Sequence, residues 1–252
     1  MGRIQRCEKK YGELFGRKPV RNEGNDPEFM RILQRFIFGE VYDIGDLGDQ
    51  TRELITIVVL TANQTVPQLK AHTMAALNVG CSPIEIREAI YQCAPFIGFP
   101  KTLNAIATMN EVFTENDILL PLESQETVIE EERYLAGKRV QEPIYGSEIA
   151  DKYAYLPEEY GKAIPQFLTE FCFGDFATRN GLNMVLRELL NFITLAALGG
   201  ADLQVYSHAI GALKSGNRKE DLLCALIQAM PYMGFPRMLN ALNAIKPLLD
   251  EK

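Results

Sequence analysis

The apolar and polar positions of the chain fall into helical runs, and the runs come twice. Arg52 to Asn63 is an almost unbroken apolar stretch without Gly or Pro. It is too long for an ordinary strand and predicts a buried helix. Pro67 to Val79 follows with Ala71, Ala75 and Val79 on one stripe and Gly80 placed to end it. Ser82-Pro83-Ile84-Glu85 has the form of a capping box with proline at the first helical position. Ile86, Ala89, Ile90 and Cys93 then give an apolar face, and Gly98-Phe99-Pro100 breaks it before a last helix. In the second half the capping-box position is occupied by Asn217-Arg218-Lys219-Glu220, read as the same cap made by Asn217. Little in either half favours strands, so the expected fold class is all-α.

Self-comparison makes the duplication explicit. Phe36-Ile37-Phe38-Gly39-Glu40 returns as Phe171-Cys172-Phe173-Gly174-Asp175, and Arg52-Glu53-Leu54 as Arg187-Glu188-Leu189, both 135 residues on (38 to 173, 52 to 187). Gln68 and His72 return as Gln204 and His208, 136 on, so the second copy has one extra residue in the intervening turn. Pro95 to Pro100 matches Pro231 to Pro236, and Leu103-Asn104-Ala105 matches Leu239-Asn240-Ala241. A looser match joins Phe15-Gly16 to Tyr145-Gly146, each closing a charged segment. The boundary is placed in the Pro121 region, giving modules at 1–122 and 123–252.

Composition narrows the setting. Hydrophobic residues make up 47% of the 252, enough for a sizeable core. A net charge of −7 argues against a nucleic-acid or anionic membrane surface. The polar start of the chain is unlike a signal peptide, and no apolar run approaches membrane-span length. Five cysteines in no paired spacing fit reduced thiols in a cytoplasm.

The candidate chemistry lies in the matched polar positions. The chain has two histidines, and they occupy equivalent places, His72 and His208. Gln68 and His72 are four apart and share a helix face. Glu53 and Glu188 open apolar helices, where a carboxylate either complements the helix terminus or, partly buried, orients and tunes the histidine. A level antiparallel hairpin turning near Thr65 would leave Glu53 and His72 offset by about 7.5 Å. Contact therefore requires a tilted crossing, a bridging water or a different arrangement of the helices. Arg52 and Arg187 are either solvated or poised for a substrate carboxylate. One histidine per module makes a metal site a poor fit.

Arg-Glu-Leu, an apolar helix, Gln-x-x-x-His, Gly, a capped helix and Gly-Phe-Pro-x-x-Leu-Asn-Ala together resemble the carboxymuconolactone decarboxylase family. The run Leu195 to Asp202 is especially similar to it. The resemblance covers roughly Phe36–Phe113 and Phe173–Leu249. It implies the fold of the alkylhydroperoxidase D enzymes, in which a Glu, a Cys-x-x-Cys pair and a His form a thiol peroxidase. Here the cysteine positions hold Thr65 and Gln68 in the first copy and Gly or Ala and Gln204 in the second, so peroxidase activity is expected to be absent. The resemblance implies instead a cofactor-independent decarboxylase of a carboxymuconolactone-like acid. His72 or His208 would deliver a proton, Glu53 or Glu188 would tune it, and Gln68 or Gln204 would bind the oxyanion. Both modules could work; if only one does, His208 is the favoured site, because the loop before it keeps the family form. Another lyase or isomerase acting on a small acid, or a non-catalytic binding module, are the alternatives. No cofactor is expected. Because the single-module relatives form rings, a homo-oligomer is expected, most simply a trimer of tandem chains.

Overall fold

The protein is seen here in a computed structural model, which describes residues 1–147, 149 and 151–250. The described residues hold helices and no strands. The first module runs α1 (Arg3–Phe15), α2 (Pro27–Gly39), α3 (Asp49–Asn63), α4 (Val66–Asn78), α5 (Pro83–Tyr91), α6 (Ala94–Ile97) and α7 (Phe99–Glu115). The second repeats that order as α8 (Arg133–Tyr145), α9 (Glu158–Phe167), α10 (Met184–Leu198), α11 (Asp202–Ser215), α12 (Lys219–Met233) and α13 (Phe235–Asp250). The copies differ locally. The stretch that is α5 and α6 in the first is the single helix α12 in the second. Helix α2 ends before a 3-10 turn at Val41–Asp43, whereas α9 continues into a π-helical segment, Leu168–Ala177.

Local chemistry accounts for the boundaries. Ser82 and Glu85 form the expected reciprocal box, with Glu85 N–H donating to Ser82 Oγ and Ser82 N–H to Glu85 Oε2 at 2.7 Å. In the second copy the reading of Asn217 as the cap is corrected. Arg218 is the N-cap, its N–H donates to Asp221 Oδ2, and the Asn217 amide instead donates to the carbonyls of Val185 and Ala212. The cap therefore sits one residue later than the sequence suggests. Gly98 and Gly234 both adopt positive φ, 83° and 85°, where a side chain would be strained.

Helices α3 and α10 lie side by side at the centre and are buried over most of their length. One continuous core takes Ile57 and Val58 from α3, Leu190 and Ile193 from α10, Ile90 from α5 and Leu226 from α12. Each such side chain contributes about 1.5–3 kcal/mol relative to exposure, so the two modules stabilise one another across their boundary. Polar contacts obey the same near-twofold relation. Arg52 donates from Nη1 to Gln228 Oε1 at 3.2 Å, and Arg187 donates from Nη1 to Gln92 Oε1 at 3.3 Å. Gln92 and Gln228 are repeat-equivalent. This reciprocity is that of a self-complementary dimer interface built into a single chain.

Candidate active site

Each module brings its matched glutamate and histidine together. Glu53, fully buried on α3, lies 2.8 Å through Oε2 from Nδ1 of His72 on α4. Glu188 on α10 lies 3.1 Å through Oε2 from Nδ1 of His208 on α11. The offset expected of a level hairpin is thus closed, and in both modules the carboxylate meets the imidazole directly. In both cases Nδ1 faces the carboxylate, which leaves Nε2 as the nitrogen available for chemistry.

The surroundings complete each site with groups that the repeat did not mark. Tyr42 donates to Glu53 Oε1, on the carboxylate edge away from His72. Tyr145 donates to Glu188 Oε2, the same oxygen that faces His208, and its hydroxyl oxygen lies 2.7 Å from His208 Nδ1. Asn191 approaches the other oxygen of Glu188. Burial and the adjacent carboxylate push the phenols of Tyr42 and Tyr145 far above the ordinary tyrosine value, so both stay protonated donors.

Aromatic rings then enclose the imidazoles, and one ring in each site comes from the opposite module. Phe15 and Tyr232 stand edge-on to His72 with centroids at 5.7 and 5.1 Å. Tyr145 and Phe96 pack on His208 at 5.4 and 5.2 Å. Phe96 and Tyr232 are equivalent residues, so each module lends a ring to the other's histidine.

The sites differ in access. The His72 side chain is 8% exposed and that of His208 is 16%. His208, Glu188, Tyr145 and Gln204 line a cavity of about 310 Å³, together with Lys152 from a turn after α8 and Cys172. Gln204 is exposed at its edge, as Gln68 is on α4.

Arg52 and Arg187 occupy a different role from the one expected. Arg52 is 2% exposed and donates to the carbonyls of Leu47, Ile44 and Gly45 as well as to Gln228. Arg187, also 2% exposed, reaches the cavity wall, but its Nη atoms hold the carbonyls of Arg179 and Asn180 and the side chain of Gln92. Both guanidinium groups tie down the loop before their helix. For Arg52 a substrate-carboxylate role finds no support in this placement, while Arg187 lines the cavity with its Nη donors already engaged.

All five cysteines are free. Burial pushes Cys81 and Cys93 up to about 12 and, with help from Asp175, Cys172 up to about 11. Such thiols are poor thiolate nucleophiles near neutral pH.

The profile of the carboxymuconolactone decarboxylase family matches residues 27–111 and 162–247, one segment in each module. The chain is 33% identical over 109 residues to the 4-carboxymuconolactone decarboxylase of Acinetobacter baylyi, covering 41% of this chain and 81% of that protein. It is 27% identical over 88 residues to the nitrosuccinic acid decarboxylase of Metarhizium robertsii, covering 35% and 60% respectively. A crystal structure described as a candidate gamma-carboxymuconolactone decarboxylase subunit, from Burkholderia xenovorans LB400, shares the fold. Its TM-score is 0.55 at 20% identity, over 98% of this chain and 95% of that one. With two thirds of its length matched by that profile, the chain belongs to the carboxymuconolactone decarboxylase family.

Proposed function

We propose that the chain is a cofactor-independent decarboxylase of a small lactone acid of the carboxymuconolactone type, and that the second module carries the reaction. The observation that carries this reading is His208, held at Nδ1 by Glu188 and Tyr145, on the wall of the 310 Å³ cavity. That volume lies at the small end of ligand pockets. Both named relatives are decarboxylases, one of a lactone acid and one of nitrosuccinic acid.

In the proposed reaction the bond between the carboxylate carbon and the ring carbon breaks and carbon dioxide leaves. The electron pair passes into the conjugated lactone carbonyl as a dienolate, so the substrate is its own electron sink. Lys152, at the cavity, supplies positive charge for the anionic substrate. The Gln204 amide donates to the developing oxyanion. His208, protonated on both nitrogens, delivers the Nε2 proton to carbon, while Glu188 stabilises the imidazolium. Glu53, His72 and Gln68 have the same residue types, but the enclosure of the Glu53–His72 pair favours a structural or narrower role.

Self-association is part of the proposal. Phe99 and Leu103 at the head of α7, and their equivalents Phe235 and Leu239 on α13, are exposed apolar pairs suited to a homo-oligomer.

The test is to give the full chain 4-carboxymuconolactone and a panel of small unsaturated and nitro acids, and to follow carbon dioxide release. Turnover of at least one is expected. Solvent deuterium entering a substrate without carbon dioxide release would point to an isomerase. Saturable binding with no reaction would point to a binding module.

A further inference from the structure

The two sites obtain the hydroxyl that touches their glutamate from different places in the repeat. In the first module it comes from Tyr42, just after α2. The equivalent position in the second copy, 135 residues on, is Ala177, which lines the cavity. In the second module the hydroxyl comes from Tyr145 at the end of α8, which matches Phe15 at the end of α1. Phe15 and Tyr145 stand in the same edge-on relation to their histidines. A third position changes with them. Ala75, buried on α4, corresponds to Gly211 on α11. A Cβ at Gly211 would lie 2.5 Å from the Tyr145 hydroxyl and 2.5 Å from Glu188 Oε2, far inside contact distance.

From these three exchanges we infer that Tyr145 is the positioning residue of the second site. Its hydroxyl fixes the His208 ring from the α8 side, Gly211 is the space that admits it, and Ala177 keeps the opposite side of Glu188 open for substrate. The inference rests on the reading of His208 as the working histidine, but its test does not need turnover.

The geometry separates this role from simple packing. In the first site the carboxylate stands between its partners, with Tyr42 on Oε1 and His72 on Oε2. Among the described residues the polar partner of the His72 ring is Glu53, at 2.8 Å. In the second site Tyr145, Glu188 Oε2 and His208 Nδ1 form a triangle whose shorter link to the imidazole is the phenol, 2.7 Å against 3.1 Å. The tyrosine proton goes to the carboxylate, and the phenol oxygen is left to accept from Nδ1–H. The ring is thereby locked with Nδ1 protonated and Nε2 turned to chemistry.

The chain has two histidines, so long-range ¹H–¹⁵N spectra of the labelled full-length protein resolve both, with His72→Gln assigning them. At a pH where His208 is neutral, wild type should show it as the Nδ1–H form. Tyr145→Phe, which copies the residue at position 15, should lose part of that preference, Glu188 alone remaining to accept from Nδ1–H, and leave the His72 signals unmoved. Tyr42→Phe should leave His208 unmoved. Gly211→Ala should give the same loss at His208 as Tyr145→Phe. Its cost in melting temperature should fall by more than half when Tyr145→Phe is also present. A folded Tyr145→Phe protein with wild-type His208 signals would overturn the inference. So would a Gly211→Ala cost that is the same with and without the hydroxyl.

Discussion

Helices α3 and α10 carry the same Arg-Glu pair into the same core, yet the sites at their surfaces have diverged in opposite directions. Around His72 the rings of Phe15 and Tyr232, with Tyr42 beneath, close the site. Around His208 the position equivalent to Tyr42 is Ala177, on the wall of a cavity, and the hydroxyl is supplied by Tyr145 from α8. The lesson is that the glutamate–histidine pair is the conservative part of the module. The groups around it decide whether the pair faces a ligand or the protein interior. The contrast extends outward. In the first copy Glu88, fully buried, receives Arg87, Arg179 and Arg187. The equivalent position in the second copy is Cys224, whose thiol donates to the Ile44 carbonyl.

The sharpest way to break the comparison is at the histidines. His208→Gln is expected to lower turnover by about 10²–10⁴, the usual range for a lost general acid. His72→Gln should leave turnover within severalfold of wild type. Melting temperature measured beside turnover separates catalysis from stability. Equal losses in the two variants would mean that exposure is a poor guide and that both sites work.

The next effect is structural. Glu88→Ala leaves three arginines clustered without their anion and should destabilise the fold by about 3–5 kcal/mol, the range for removing one partner of a buried ion pair. Cys224→Ala, at the equivalent place, loses a weak thiol donor and a small volume and should cost about 1 kcal/mol. Denaturant titration of the two variants reads the difference. Similar costs would show that the ion cluster is not what braces the second module's loop.

Much of this was legible in the letters, and the reason lies in what a repeat preserves. Matched spacing found Glu53 with His72 and Glu188 with His208, because ancestry keeps such pairs in register. It could not find Tyr42 and Tyr145, since their hydroxyls converge on the glutamate from positions that do not correspond. The one available signal was the loose match of Phe15-Gly16 to Tyr145-Gly146, with Gly211 in place of Ala75. The arginines misled for a different reason. Spacing shows that Arg52 and Arg187 recur but not which way a guanidinium points, and both turn back onto loop carbonyls. The π-helical stretch at Leu168–Ala177 left no periodic trace distinct from an ordinary helix.

The smallest effect sharpens the comparison in alkali. Cys81 and Cys93 belong to the first module, and Asn217 and Ala229 stand at their places in the second. An unfolded chain releases these thiol protons from about pH 9, while the native protein holds them to about 12. The native state therefore binds more protons across that window, and stability falls as pH rises through it. The loss is on the order of 1 kcal/mol per thiol at pH 10. Buried Tyr42 and half-buried Tyr145 act in the same sense above the ordinary tyrosine range. Thermal melts from pH 8 to 11 should show the decline, and Cys81→Asn with Cys93→Ala should flatten it. An unchanged slope would place the alkaline weakness in the tyrosines instead.

The exchange of rings between modules, Phe96 onto His208 and Tyr232 onto His72, has a consequence for how such a protein can change. In a symmetric pair of identical subunits every substitution is made twice, so a residue that opens one site opens its twin. Joining the two halves in one chain removes that constraint while keeping the shared wall. Phe96 can be shaped for the neighbouring cavity and Tyr232 for the neighbouring closed site, each from within the module it does not serve. One half of the molecule is thereby free to act as the other half's fitted housing.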